Sequence, residues 1–319
     1  MNKQVQSMIA QAKTIAIVGH RSSDADCIGS AVALKTIFKR AGKEVCVGII
    51  DAEEKFNFLE IEDFGKNMNF EPDVLFLIDN AQNIKFAYDP KKFSPKYTIT
   101  IDHHQGNENV ADYKLVDKTA SCTCEIIYKL LQSVGSKLTQ DKYVMEALVT
   151  GVLGDTGGLR YGNVNSTCFE IAQKALECGV NYSYIYQKTI VEKSISKYRL
   201  EQIAFNRAKF LDNGIAFCIL DNSIPEYKYR NPGDDQDVIC VLRDIDQVNV
   251  AVLLREYPGG YMVTVRTASK LNLLSFFEKV GGSGSRYAGG ITLVEGKSAS
   301  ELGKEMVQLL SEEIERELS

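Results

Sequence analysis

Residues 14–26 read TIAIVGHRSSDAD, in which a short apolar run is followed at once by one histidine and two aspartates. A run of this length that ends in polar residues predicts a β-strand buried on both faces. Three further segments repeat the pattern, EVCVGII at 44–50, DVLFLID at 73–79 and YTITID at 97–102. We therefore expect a sheet of buried strands that collects polar side chains along one edge.

Helical patterns separate and follow these strands. Apolar residues recur at helical spacing in residues 30–43, 121–135, 140–155 and 166–180. Strands that alternate with helices predict a mostly parallel sheet that is flanked by helices and covered on both faces. The fold class expected for the N-terminal half is therefore α/β.

The chain length predicts more than one domain. The chain has 319 residues, and single hydrophobic cores rarely grow beyond about 250–300 residues. Residues 186–212 are polar with a helical pattern, and we interpret them as a helical connector. The first domain is then residues 1–185, and a smaller C-terminal α/β domain occupies residues 213–319.

Composition limits the classes of function. The net charge is −5 and the pI is about 5.5, whereas proteins that grip long duplex DNA carry a basic surface. A small phosphorylated substrate in a local pocket is compatible with this charge. No apolar run approaches the ~18 residues that span a membrane, and the N-terminus lacks the apolar stretch of a signal peptide. We expect a cytoplasmic protein that does not bind membranes, with cysteines that pack as free thiols.

Candidate metal ligands follow the predicted strands and the helix at 140–155. All three histidines of the chain, His20, His103 and His104, lie directly after these strands. The carboxyl ends of neighbouring parallel strands meet at one edge, so these side chains are expected to lie close together. The candidate ligands are His20, Asp24, Asp26, Asp79, His103 and Asp155.

Each of these residues also has an ordinary structural explanation. An aspartate at the end of a strand is commonly a helix cap or a turn former, and a lone histidine is seldom a ligand. Four aspartates gathered at one edge, however, raise one another's pKa, and no run of lysine or arginine lies near them in sequence. Bound divalent cations would compensate this charge, and the mixture of imidazole and carboxylate suits manganese. Six ligands suffice for two such ions if one carboxylate bridges them.

Four motifs make the chain resemble the DHH family of phosphoesterases. HRSSDADCIGS is similar to the first motif of the family, LIDNA to the second, IDHH to the third and GVLGDTGGLRY to the fourth. They occur in the expected order between residues 14 and 161. The resemblance implies an enzyme that hydrolyses phosphate esters with two divalent metal ions, most commonly manganese.

The resemblance also implies roles for individual residues. One ion would be held by His20, Asp24 and Asp79, and the other by Asp26, Asp79, His103 and Asp155. In this scheme the carboxylate of Asp79 bridges the two ions. His104 would contact the scissile phosphate or assist the leaving oxygen, and Asp102 would orient its neighbouring histidine.

Two segments of the second domain resemble the DHH-associated domain of nanoRNase-like members. VTVRTAS at 263–269 is similar to a strand that carries a substrate-binding arginine, and GGSGSRYAGG at 281–290 is similar to a glycine-rich loop. The loop departs from the family pattern, because Gly284 replaces a histidine and Tyr287 stands where a small residue is expected. A glycine-rich turn before a strand is often purely structural. The implied substrate-binding residues are Arg266, Gly281, Gly282, Arg286, Gly289 and Gly290.

The resemblance implies short substrates. They are short oligoribonucleotides, dinucleotides or 3′-phosphoadenosine-5′-phosphate, attacked by a hydroxide that two metal ions activate, and a homodimer is suggested. Two alternatives remain open: a cyclic-dinucleotide phosphodiesterase, and a nucleotide-binding protein with reduced catalysis. A manganese pyrophosphatase is disfavoured because the second half shows no basic loop, and a processive exonuclease because this acidic chain has no evident strand-tracking groove.

Overall fold

The computed structural model describes residues 3–50, 52–69, 71–80, 86–104, 111–230, 233–235, 237–268, 271–284 and 286–318. The chain divides into two compact units, Met1–Glu192 and Lys193–Ser319. The predicted α/β class is confirmed, with a parallel sheet in the N-terminal unit and a mixed sheet in the C-terminal unit. Residues 186–212, interpreted as a connector, are shared between the units.

The N-terminal unit contains a five-stranded parallel sheet. Its strands are β1 (Thr14–Val18), β2 (Glu44–Gly48), β3 (Val74–Ile78), β4 (Tyr97–Asp102) and β5 (Tyr113–Val116). Their order in the sheet is β2-β1-β3-β4-β5. Every residue of β3 is buried, which agrees with the continuous apolar run expected of a strand covered on both faces.

The described residues of the N-terminal unit also form six α-helices. They are α1 (Lys3–Gln11), α2 (Ala25–Arg40), α3 (Thr123–Ser133), α4 (Lys142–Asp155), α5 (Ser166–Glu177) and α6 (Tyr182–Tyr186). Short 3₁₀ segments lie at Glu54–Leu59, Pro90–Lys92 and Lys137–Gln140, and a π-helical turn lies at Gln187–Val191. Side chains cap the helices where polar residues precede them, as Asp141 does for α4 and Asn165 for α5.

The strand order fixes where polar side chains can gather. The connection after β1 leads outward to β2, whereas the chain reaches β4 and β5 on the other side of β3. Loops therefore diverge between the carboxyl ends of β1 and β3, which leaves a crevice at that switch point. His20 follows β1 and Asp79 follows β3 directly.

The C-terminal unit is built on a six-stranded mixed sheet of order β10-β11-β9-β8-β7-β6. Its strands are β6 (Lys209–Phe210), β7 (Ile215–Leu220), β8 (Val250–Tyr257), β9 (Gly260–Arg266), β10 (Ser283–Gly284) and β11 (Ala288–Glu295). Its helices are α7 (Ile195–Arg207), α8 (Pro225–Lys228), α9 (Cys240–Arg243), α10 (Leu274–Val280) and α11 (Ala299–Leu318).

Alternate residues of these strands face two separate cores. Val250 and Val252 pack with α10 and α11, whereas Ala251 and Leu253 pack with α7, α8 and α9. This period of two is the expected result when both faces of a sheet are covered. In the part of the chain that the structure describes, no helix is long and apolar enough to cross a membrane.

Candidate metal centre

The imidazole of His20 is oriented by the backbone next to it. Its Nδ1 lies 2.9 Å from the carbonyl oxygen of Arg21, which is an acceptor, so Nδ1 carries the proton. In the neutral imidazole the lone pair is then on Nε2, which lies 3.7 Å from Asp24 Oδ2 and 3.5 Å from Asp79 Oδ2. This tautomer is the one that a metal-binding histidine requires. Burial opposes protonation of His20, but the nearby Cys27, Asp24 and Asp79 outweigh it and raise its pKa.

Asp24 serves as a helix cap and still has an oxygen to offer. Its Oδ1 accepts hydrogen bonds from the backbone N–H groups of Asp26 (3.1 Å) and Cys27 (3.0 Å) at the start of α2. Burial opposes its ionisation, but contact with His20 outweighs burial and holds the pKa of Asp24 below its usual range. The structural and the ligand interpretations of Asp24 are therefore compatible.

Asp79 lies at the middle of the cluster. Its Oδ2 faces His20, and its Oδ1 lies 3.7 Å from His103 Nε2 and accepts a hydrogen bond of 3.2 Å from Thr123 Oγ1. The two oxygens thus face different histidines, as a bridging carboxylate requires. The backbone of Asp79 is left-handed, with φ of 48°, which is uncommon for a residue other than glycine and concentrates at functional sites.

Helices α2 and α4 approach closely and bring two more carboxylates to the centre. A Cβ on Gly154 would lie 2.4 Å from Ala25 Cβ, and a Cβ on Gly151 would lie 2.8 Å from Asp26 Oδ1. Only glycine permits this approach. It places Asp26 at the start of α2 near Asp155 at the end of α4.

The start of helix α3 holds the Asp26 carboxylate. The backbone N–H groups of Thr123 and Cys124 donate to its two oxygens at 2.6 and 2.9 Å. Exposed N–H groups at a helix N-terminus favour a carboxylate there, so this contact fixes the direction of Asp26. Sequence reasoning missed Thr123. The available indication was a hydroxyl residue near the start of the helical pattern, in SCTCEII.

The two adjacent histidines have different partners. His103 Nε2 lies 3.2 Å from Asp155 Oδ2, whereas His104 Nδ1 lies 2.8 Å from Asp102 Oδ1. Asp102 is fully buried, and its Oδ1 also accepts the backbone N–H groups of His103 and His104. Asp102 therefore contacts His104, and the orienting role that the resemblance implies for it stays a prediction.

Burial and mutual repulsion shift the pKa values of the centre. Burial and the charges of Asp79 and Asp24 raise the pKa of Asp26 to about 8, and burial and the charge of Asp26 raise the pKa of Asp155. Burial and the nearby His104 lower the pKa of His103, so its imidazole is neutral at pH 7. Burial also opposes protonation of His104, but the hydrogen bond to Asp102 outweighs it and raises that pKa to about 9.

The donor set fits divalent cations. Among the described residues, Asp24, Asp79 and Asp155 form ion pairs with histidines and with no lysine or arginine. The Nε2 atom of His103 is buried and lies 3.2 Å from Asp155 Oδ2 without the geometry of a hydrogen bond, which is consistent with a nitrogen that binds another atom. Three groups place their ligand atoms within 4.8 Å of one another: His20, Cys27 and Asp79; Asp79, His103 and His104; Asp26, His103 and Asp155. Cys27 was not predicted to belong there.

The structure thus brings the six predicted ligands into one cluster, but their binding of metal stays a prediction. The predicted substrate-binding residues lie in the C-terminal unit. Arg266 ends β9, and its Nη1 donates to the carbonyl oxygens of Val265 (3.1 Å) and Gly289 (3.2 Å). Those bonds use one of its three guanidinium nitrogens.

The glycine-rich segment forms the β10–β11 hairpin. Gly281 ends α10 with φ of 68°, and the N–H of Gly282 donates to the carbonyl oxygen of Phe277 at 2.9 Å. A Cβ on Gly284 would lie 2.5 Å from the carbonyl oxygen of Ala288, so this hairpin has no room for the histidine of the family pattern. Gly289 and Gly290 pair with β9 and β10, and Arg286 and Tyr287 stand next to each other with a cation–π distance of 5.6 Å. These glycines have structural roles, and substrate binding by this set stays a prediction.

Comparison with known proteins agrees with the geometry. Residues 14–152 match the DHH family, N-terminal domain. The chain is 25% identical over 305 residues to the bifunctional oligoribonuclease and PAP phosphatase NrnA of Thermus thermophilus, covering 95% of this chain and 90% of that protein. It is 23% identical to the cyclic-di-AMP phosphodiesterase GdpP of Bacillus subtilis, over 86% of this chain and 47% of that protein.

A solved structure shares the fold of the whole chain. It is an exopolyphosphatase-related protein from Bacteroides fragilis, with a TM-score of 0.80 and 22% identity, and the match covers 98% of this chain and 95% of that one.

Proposed function

We propose that this chain, whose residues 14–152 form a DHH family domain, is a metal-dependent phosphoesterase that hydrolyses short oligoribonucleotides, dinucleotides or 3′-phosphoadenosine-5′-phosphate. One observation carries the proposal: a cluster of four aspartates, two of them buried, whose charge no lysine or arginine of the described ion pairs compensates. This uncompensated negative charge favours bound cations, and the Nε2 atoms of His20 and His103 lie beside it.

Two divalent ions, with manganese as the proposed native metal, would complete the centre. His20, Asp24 and Asp79 would hold one ion, and Asp26, Asp79, His103 and Asp155 the other. With both ions bound and all four aspartates ionised, the four negative charges would be neutralised by two divalent cations. Such a pair of ions supplies Lewis acidity and a nucleophilic hydroxide at neutral pH.

Two other residues, Asp102 and Thr123, orient side chains of the centre. Asp102 accepts a hydrogen bond from the Nδ1–H of His104 and favours the protonated form of that imidazole. A protonated imidazole next to the centre can donate its Nε2–H to the leaving oxygen of a phosphate ester. Thr123 fixes one oxygen of Asp79 and, through its N–H, one oxygen of Asp26.

Short substrates are proposed from the relatives and from the charge of the chain. The Thermus thermophilus relative is named for oligoribonuclease and PAP phosphatase activity, and the net charge of −5 disfavours long nucleic acids. Arg266 is proposed to bind a phosphate of the substrate, because guanidinium groups pair well with phosphate oxygens. Cytoplasmic location and a homodimer stay predictions.

The test is hydrolysis of a labelled dinucleotide. Purified protein with manganese chloride should release mononucleotide, and the Asp155→Ala variant should release none above background. 3′-Phosphoadenosine-5′-phosphate is assayed in parallel for phosphate release. The proposal is wrong if the wild-type protein releases no product, or if Asp155→Ala releases as much as the wild type. Nucleotide binding without hydrolysis would favour the binding-protein alternative.

A second candidate activity is the opening of cyclic dinucleotides. The similarity to GdpP over 86% of this chain favours it. Linear and cyclic diadenosine substrates at equal concentration in one reaction distinguish the two. Faster loss of the linear substrate supports the first proposal, and faster loss of the cyclic one supports the second.

A further inference from the structure

A buried thiol lies against one half of the metal centre. The Sγ of Cys27, Nε2 or Nδ1 of His20 and a carboxylate oxygen of Asp79 all lie within 4.8 Å of one another. All three residues are buried, and Cys27 has no exposed surface. The neighbouring Asp24 lies on the same side, with Oδ2 facing His20. This half of the centre therefore presents sulfur as well as nitrogen and oxygen.

The local backbone holds the thiol in that place. Asp24 caps α2 by accepting the N–H of Cys27, which fixes Cys27 in the first turn of the helix. A Cβ on Gly19 would lie 2.2 Å from Cys27 Sγ and 3.2 Å from Ile49 Cδ1. The thiol can occupy this position only because residue 19, at the end of β1, is glycine. The same chain segment continues into His20, so thiol and imidazole are set side by side.

Two other buried cysteines near the centre have local explanations. Cys122 Sγ accepts the N–H of Glu125 as the cap of α3, and Cys124 Sγ lies 3.2 Å from the hydroxyl of Ser30. Neither belongs to a group of candidate ligands among the described residues. Cys27 is distinguished from them by its place within ligand distance of both a histidine and an aspartate.

We propose that Cys27 Sγ is a further donor to the ion that His20 and Asp79 hold, an inference that rests on the proposed metal-dependent function. The thiol proton passes to solvent as the sulfur–metal bond forms, so no oxidant or reductant is needed. Sulfur is a soft donor, and it shifts the preference of this half from magnesium towards cobalt, iron or zinc. The two halves of the centre then differ in metal preference, since the half with Asp26, His103 and Asp155 has only nitrogen and oxygen donors.

The test uses cobalt chloride as an optical probe. Wild-type protein freed of metal is titrated with Co²⁺, and visible d–d absorption reports cobalt binding while near-ultraviolet absorption reports sulfur-to-cobalt charge transfer. The wild type should show both. Cys27→Ala and Cys27→Ser should keep the d–d bands, lose the charge-transfer band and bind the first equivalent of cobalt about 10-fold more weakly. Cys218→Ala, a buried cysteine of the C-terminal unit, is the matched control and should match the wild type.

A second measurement needs no variant. Cobalt-edge X-ray absorption of the wild-type protein should show a sulfur scatterer at about 2.3 Å, the usual length of a bond between sulfur and a divalent metal. Cobalt bound without charge transfer or sulfur scatterer overturns the inference, as does a charge-transfer band that survives in Cys27→Ala. Dinucleotide hydrolysis is measured separately. Active protein without a cobalt–sulfur signal refutes the role of Cys27 alone, whereas inactive protein that binds no metal refutes the proposed function.

Discussion

The two units of this chain each bury aspartate, and they compensate its charge in opposite ways. In the C-terminal unit, Asp235 Oδ2 lies 3.2 Å from Arg230 Nη2 and 3.3 Å from Arg255 Nη1 and accepts a hydrogen bond of 2.7 Å from the hydroxyl of Tyr257. Burial opposes ionisation of Asp235, but these partners outweigh it and lower its pKa. The protein itself supplies the positive charge.

The N-terminal cluster shows the reverse. Asp26 is buried and Asp155 is half-buried next to Asp79, and loss of solvent and mutual repulsion raise the pKa values of Asp26 and Asp155. A buried acid that the protein neutralises with arginine is a structural element. A group of acids without such partners is a candidate binding site for cations. The comparison therefore supports a structural role for Asp235 and the proposed metal-binding role for Asp79.

Replacing the central carboxylate should have the largest effect. Asparagine tolerates the left-handed backbone of residue 79 and keeps its size, so Asp79→Asn removes charge with little strain. Because both proposed ions lose a ligand, kcat for a dinucleotide should fall by about 10³-fold, roughly 4 kcal/mol. Asp89→Asn, at a surface cap outside the cluster, is the control and should retain full activity. An Asp79→Asn variant that retains full activity would contradict the account.

The same kind of change in the C-terminal unit should act on stability. Asp235→Ala leaves Arg230 and Arg255 facing each other without a carboxylate, which should cost about 3 kcal/mol of unfolding free energy. Tyr257→Phe removes one hydrogen bond and should cost about 1 kcal/mol. Urea denaturation with and without manganese measures both. If saturating manganese abolished the loss of unfolding free energy in Asp235→Ala, Asp235 would belong with the cation-binding acids, and the contrast between the two units would be wrong.

The stability of the metal-free protein should fall as the pH rises, because the acids of the N-terminal cluster lack a compensating charge. The pKa of Asp26 is about 8 in the folded protein against 3.8 as the ordinary value, so the folded state retains a proton that the unfolded chain releases. Without metal, this contribution to stability is complete below pH 3.8 and is lost as the pH rises to about 8. Manganese at 100 times its Kd should restore about 2.7 kcal/mol at pH 8. Thermal unfolding in chelator and in manganese measures this, and an unchanged Tm on adding manganese would count against the site.

A smaller effect is expected at the predicted substrate arginine. Arg266→Ala should raise KM for a dinucleotide by about 10-fold, because it removes one charge-assisted hydrogen bond to phosphate. The centre is unchanged, so kcat should fall less than KM rises. Arg316→Ala on α11 is the control, because Arg316 already pairs with Glu313. Unaltered KM in Arg266→Ala would remove this residue from the substrate site and leave the metal centre as proposed.

Buried elements could be predicted from the sequence, and half-exposed ones could not. The segments at 73–79 and 97–102 became β3 and β4 nearly residue for residue, and β3 is continuously apolar because both of its faces are covered. Strand β5 was missed, since it is short and only partly buried. Strand β11 begins with Ala288, Gly289 and Gly290, and glycine is depleted in strands, so the sequence indicated a loop there.

The residues of the site could be predicted from the sequence, but the contacts that orient them could not. Histidines and aspartates after strands identify the cluster, since parallel strands end together. The contacts that aim them depend on tertiary packing: Thr123 reaches Asp26 and Asp79 across more than forty positions of sequence. Cys27 was interpreted as a packed thiol because one cysteine has no spacing pattern that would indicate a ligand. Its closeness to His20 and Asp79 in the folded chain is what suggests that it belongs to the centre.

Anomalous diffraction from crystals soaked in manganese chloride tests the central claim most directly. The account predicts two manganese peaks within bonding distance of the cluster, one beside His20 and Asp24 and one beside His103 and Asp155, with Asp79 between them. Crystals in which those side chains keep their places but no manganese peak lies among them would contradict it.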